Sequence, residues 1–273
     1  MAALAGQELA GQAAPAAGQP RAAVGRRGFT LWRWLILLIT AAYFLIPLLA
    51  AARFAGLSAM LNFVHQDGFG PAFVLSVRLA LITTVITLAL MLPTTVYVHL
   101  RLPRLRRLLE GITILPIVIP PIVLIVGVLQ VAPAGLKASP YLLGLEYVIL
   151  GMPFAYRSLD AGLQSIDLVT LVEAAGSLGA GWLTTLWRVL LPNLRSAMLS
   201  ATVLIVALVL GEFTMASLDQ YQTFPVWIVA FDQDNAQMSV AASLMALLIT
   251  WICLLAISML GRQRPRRAPE GES

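Results

Sequence analysis

Residues 238–260, MSVAASLMALLITWICLLAISML, run for 23 positions without a charged side chain. At ~1.5 Å per helical residue such a run crosses the ~30 Å hydrocarbon core of a bilayer. Inside hydrocarbon every backbone polar group must be satisfied internally, so a run of this length is restricted to a helix. Similar runs recur along the chain, which is 59% hydrophobic and 11% charged. A soluble domain carries roughly 25% charged residues. The fold class expected is therefore all-α, a polytopic membrane protein.

Six transmembrane helices are expected, at about 31–52, 72–100, 110–131, 141–161, 195–218 and 238–260. The second is long enough to tilt or to project beyond the bilayer. Residues 1–28, rich in Ala, Gly, Gln and Pro, have the composition of a disordered cytoplasmic tail. It is read as uncleaved, with the first span as signal anchor. Residues 29–261 form the six-span domain and 262–273 a basic cytoplasmic tail.

Orientation follows from the basic residues. With the N-terminus inside, 15 of the 18 Lys and Arg fall in cytoplasmic segments. Arg53 and Lys137 fall outside, and Arg78 lies within the second span. Positive charge collects on the cytoplasmic side, so both termini are expected there. The same rule accounts for the net charge of +5 without a nucleic-acid partner. The single cysteine, Cys253, allows neither an internal disulfide nor a cysteine-based metal cluster.

This topology places residues 162–194 in the longest cytoplasmic loop. Asp167 is suited to cap a helix start. Leu168, Leu171, Val172, Ala175 and Leu178 then recur at helical spacing on one face. Gly179 and Gly181 permit a change of direction. A second stripe, Leu183, Leu186, Trp187, Leu190 and Leu191, is expected to end at Pro192. The loop thus reads as two short helices joined at a glycine elbow. An amphipathic element on the inner leaflet would look similar, but one arginine in residues 173–192 is a poor lipid-binding face. Docking to a cytoplasmic partner is the alternative.

Glu173-Ala174-Ala175, three residues, Gly179, nine residues, then Val189-Leu190-Leu191-Pro192 resembles the signature EAA-x3-G-x9-I-x-L-P, with Val for Ile at 189. That signature belongs to the permease subunits of type I ABC importers, and the resemblance covers about residues 70–260. The stretch LPIVIPPIVLIVG (115–127) is also similar to the third span of spermidine/putrescine-type permeases. The resemblance implies that residues 167–192 form a coupling loop, with Glu173, Ala174, Ala175, Gly179, Leu191 and Pro192 at the ATPase-docking site. It implies as partners a second permease subunit, identical or related, two ABC ATPases and an extracytoplasmic substrate-binding protein. It implies a place in a bacterial inner membrane and a small solute as cargo. A polyamine is the substrate expected first, with iron(III), thiamine, sulfate/molybdate-like or phosphonate anions as alternatives.

A phosphate-cradling loop needs G-x-x-x-x-G-K-[ST], and the only lysine, Lys137, sits between Leu136 and Ala138. The chain is accordingly expected to be non-catalytic and to hold no cofactor or metal, with ATP and Mg on a partner. An intramembrane enzyme would need a constellation that His65 and His99, the only histidines, do not form. A secondary transporter would call for coupling charges and repeats that are not evident.

Three ionisable groups are expected at depth, where charge is costly. Arg78 lies about 10 Å and Glu212 about 9 Å below the outer ends of their spans, and Glu146 is similarly shallow. Matched depth suggests an Arg78–Glu212 ion pair. Glu212, Glu146, Phe213 and Met215 are the candidates for the substrate path. The stretch GEFTMASL also resembles permeases for oxyanions and thiamine. Phe213, Met215, Phe224 and Trp227, near the outer end, have two readings: contact with substrate or the docked binding protein, or interfacial aromatics and packing. Pro93, Pro116, Pro120 and Pro121 are expected to kink their helices.

Overall fold

A computed structural model describes residues 26–232 and 235–261. Of the expected tails, 1–28 and 262–273, residues 1–25 and 262–273 lie outside the described residues, while Arg26, Arg27 and Gly28, expected in the disordered tail, are instead helical. The chain divides into two units, Met1–Leu49 and Ala50–Ser273. Among the described residues there are helices and no strands. In chain order they are α1 (Arg26–Ala55), α2 (Leu57–Asn62), α3 (Phe69–Arg101), α4 (Arg106–Val118), α5 (Pro121–Val131), α6 (Ala134–Lys137) and α7 (Tyr141–Gln164). There follow α8 (Leu168–Ser177), α9 (Trp182–Thr185), α10 (Leu191–Gly211), α11 (Thr214–Leu218), α12 (Phe224–Asp232) and α13 (Ala236–Gly261). The first unit holds most of α1, a single apolar helix of which Trp32–Ala55 is long enough to span.

In the second unit α3, α7 and α10 pack on one another to make the core. Leu79, Met91 and Val96 meet Leu143, Tyr147 and Leu159, which meet Leu194, Ala201 and Ile205. Close approach depends on small residues. A Cβ built at Gly162 of α7 would lie 2.5 Å from Ala197 Cβ of α10, and one at Gly151 3.3 Å from Thr87 Oγ1 of α3. A second cluster joins the start of α3 to α12 and α13. Phe63, Phe69, Phe73, Phe224 and Trp227 contact one another mostly edge to face, with centroids 5.1–6.0 Å apart. Phe224 and Trp227 are buried packing groups, as one of the two readings of them expects. Large apolar side chains such as Leu81, Val85, Leu247 and Trp251 face outward, as hydrocarbon solvent allows.

Among the described residues four helices are fit to span by length and composition, five if α4 and α5 are taken as one, so the expected six is not reached on that measure. The third expected span is bent by 103° at Ile119–Pro120. Pro120 and Pro121 end one helix and start the next, because proline lacks the N–H to continue and forces its predecessor extended. Pro93, by contrast, sits inside an unbroken α3, where the hydroxyls of Thr94 and Thr95 donate to the carbonyls of Leu90 and Met91 at 2.7 and 2.6 Å. α7 is 24 residues long, lies at the centre of the bundle and carries Glu146, Arg157 and Asp160. The fifth expected span stops early, at Gly211, and Glu212 is extended.

Candidate functional site

The loop between α7 and α10 begins with a built cap. Asp167 Oδ1 accepts from Thr170 N at 3.3 Å and Oδ2 from the Thr170 hydroxyl at 2.7 Å. These bonds hold the Asp167 carboxyl below its ordinary pKa. α8 then buries Leu168 and Ala175 and half-buries Leu171 and Val172, leaving Glu173 and Ala174 exposed. Leu178, expected on the buried face, is instead 88% exposed. The helix has ended before it: Ala180 N bonds Ala175 O at 3.0 Å and Gly179 N bonds Gly176 O at 2.9 Å. That pairing is the Schellman stop, and it needs a left-handed residue at position 179. Gly179 has φ +78°. Gly181, expected to share the elbow, has φ −73° and is ordinary extended backbone that begins the next helix.

The second short helix is not a separate element. Residues Trp182–Gly211 form one 30-residue helix, with a π turn at Leu186–Leu190. Pro192 does not close it. Its ring would clash with the carbonyl one turn back, and the wider turn relieves that contact. Asn193 Nδ2 donates to Val189 O at 2.7 Å, satisfying a carbonyl in the disturbed turn. Leu191 is half-buried and Pro192 exposed. The docking candidates thus divide, with Glu173, Ala174 and Gly179 on the free part of the loop, Ala175 packed inward, and Leu191 and Pro192 within a long helix.

At the opposite end of the bundle the expected Arg78–Glu212 ion pair is not formed. Glu212 accepts from Tyr147 Oη at 3.1 Å and from Met215 N at 2.9 Å, capping α11 across the helix break. Arg78 is exposed on α3 and makes no ion pair among the described residues. It lies 21 residues, or ~32 Å, along the helix from His99, far enough to reach the headgroups. Glu146 is fully buried, neither of its oxygens meets a hydrogen-bond donor, and its charged neighbours are Asp219 and Glu212. Of the four path candidates, Glu146 and Met215 are wholly enclosed, Glu212 is half-buried and Phe213 is 39% exposed.

One constellation has no counterpart in the sequence reading. Asp160 of α7 accepts a two-pronged bond from Arg106 of α4, Nε to Oδ1 and Nη2 to Oδ2, each 2.8 Å. Gln164 Nε2 donates to Oδ2 at 2.6 Å. His99 Nε2 of α3 stands 3.0 Å from Oδ1, while Nδ1 lies 2.9 Å from Thr95 O. The partners are 54 residues apart in the Arg106 pair, so no local spacing announces them. His99 is only 10% exposed. Among the described residues no group of His, Cys, Asp and Glu is arranged to hold a metal ion.

Residues 91–268, loop included, match the family described as Binding-protein-dependent transport system inner membrane component. The molybdenum transport system permease protein ModB of Mycobacterium tuberculosis is 27% identical over 245 residues, 83% of this chain and 92% of that protein. The sulfate transport system permease protein CysW of Synechococcus elongatus is 31% identical over 133 residues, 46% of each chain, so the match spans about half of that relative. The Fe(3+)-transport system permease protein FbpB 2 of Haemophilus influenzae is 35% identical over 105 residues, 38% of this chain and 20% of that protein. These names favour the alternatives over the spermidine/putrescine subtype expected from the third span. With 91–268 matched and a bundle of apolar helices around it, the chain belongs to the binding-protein-dependent transport system inner membrane components, as a multi-pass permease.

Proposed function

We propose that this permease works in an ATP-driven importer, coupled to a separate ATPase through residues 167–192, and that its cargo is an oxyanion of the sulfate or molybdate kind. The observation that carries the coupling role is the loop itself. A capped helix, a Schellman stop at Gly179 and an apolar side chain left 88% exposed at Leu178 make an element that nothing among the described residues covers. Glu173, Ala174 and Leu178 are the groups offered to the ATPase. Ala175 and Leu191 fix the loop to the bundle, and Pro192 sets the turn from which the long helix rises. ATP hydrolysis belongs to the partner, since Lys137 cannot serve a phosphate loop. Two ATPases, a second permease and an extracytoplasmic binding protein complete the assembly, with both termini of this chain in the cytoplasm.

The oxyanion reading rests on the relatives matched over most of their length. Iron(III) is the second reading, favoured by the match to the Fe(3+)-transport system permease protein of Haemophilus influenzae. Glu212 and Phe213, the more accessible of the path candidates, are the groups most open to a passing solute. Uptake of labelled molybdate into proteoliposomes holding the full assembly separates the two. Competition by sulfate or tungstate, with none by iron(III) or spermidine, is the expected result. Iron(III) uptake without molybdate uptake would overturn the oxyanion assignment in favour of the second reading.

A further inference from the structure

We propose that Asp160 is a positioning residue of the transport cycle, tying three helix ends into one body so that movement of α8 is carried to α4. The proposal rests on the reading that the 167–192 loop docks an ATPase.

The carboxylate is only 17% exposed and gathers groups from α3, α4 and α7. A paired guanidinium and carboxylate fixes orientation as well as distance, because two parallel bonds resist rotation where one would swivel. A second tie runs the other way: Tyr156 Oη of α7 donates to Arg106 O at 3.2 Å. The first turn of α4 is therefore held to α7 by a side chain and by its own backbone. Asp160 stands seven residues before Asp167, the cap of the docking helix, or ~10 Å along a helix. Leu163, between them, is buried in the core.

The far end of α4 is free in a different sense. The chain breaks by 103° at Ile119–Pro120, so α4 can swing without dragging α5 rigidly with it. A lever clamped at one end and jointed at the other follows whatever moves the clamp. Displacement of α8 reaches α7 through the short link 165–167 and reaches α4 through Asp160. Remove the charge, and α4 keeps only the Tyr156 bond and its packing on α7, so less of the movement of α8 reaches it.

The test uses the full permease–ATPase complex in proteoliposomes, with spin labels at Leu108→Cys on α4 and Val123→Cys on α5 in a Cys253→Ser background. Both labelled positions are exposed, at 57%. Trapping with ATP and vanadate is expected to change the label-to-label distance in otherwise wild-type protein. Asp160→Asn should diminish that change severalfold while the ATPase stays attached and the complex melts at the same temperature. Arg106→Lys keeps the charge but loses the fork, and should reduce the change. An undiminished change in Asp160→Asn overturns the proposal while leaving the docking reading intact. Equal loss of ATPase, melting temperature and distance change marks a merely structural role and also overturns it. If no ATPase accompanies the wild-type chain, the docking reading fails first and takes this proposal with it.

Discussion

Gly179 has φ +78° and nothing within 4 Å of where a Cβ would sit, so a substitution there tests backbone conformation alone. Gly179→Ala should weaken the loop by roughly 1–2 kcal/mol through left-handed strain, and Gly179→Asn by less. Hydrogen exchange at Ala180, whose N–H closes the stop, reads the difference. Asp167 adds a pH signature. Its pKa is depressed in the fold, so its support of α8 is complete above the ordinary carboxylate range and is lost as pH falls through the lowered value. Asp167→Ala should speed exchange in the first turn of α8 at neutral pH, whereas Asp167→Asn should keep the cap and lose the acid-side dependence. At the other end of the bundle, Glu212→Arg should damage the complex and Arg78→Glu should not repair it, because Glu212 already serves Tyr147 and the α11 backbone. Recovery of assembled complex in the double swap would contradict that geometry.

Helix packing supplies a sharper expectation. The Cβ of Gly162→Ala would fall 2.5 Å from Ala197 Cβ, on a rigid helix that offers no flexible side chain to give way. A loss of about 1–3 kcal/mol is expected, read as a lower melting temperature in detergent. Such close approaches were not legible in the sequence, since a glycine inside an apolar run looks alike whether it faces lipid or a neighbouring helix. What was legible had local periodicity or local chemistry. The apolar runs marked most of the long helices, Asp167 marked a cap, and Gly179 marked a stop. Pro192 misled, because proline usually ends a helix; here a π turn and the Asn193 amide let the helix continue through it. The Pro120–Pro121 pair was read as a kink and is a full break. Asp160, Arg106 and His99 were invisible as a unit because their meeting depends on how α3, α4 and α7 dock. The Arg78–Glu212 pair is absent for a related reason: matched depth along two helices does not fix which way each side chain faces.

For the whole molecule, the bundle of α3, α7 and α10 is the rigid part, and the features concerned with coupling lie at its arginine-rich end. There α8, its stop and the Asp160 tie succeed one another within residues 156–180. We propose that a separate ATPase grips this loop. The direct measurement is to purify the tagged chain in mild detergent and identify what accompanies it, for wild type and for Gly179→Pro. Proline is locked near φ −65° and cannot adopt the +78° the stop requires. The account predicts an ATPase recovered with wild type and lost with Gly179→Pro, while the variant's helical content is unchanged. An ATPase retained in equal amount by Gly179→Pro, or a wild-type chain recovered alone and intact, would contradict it.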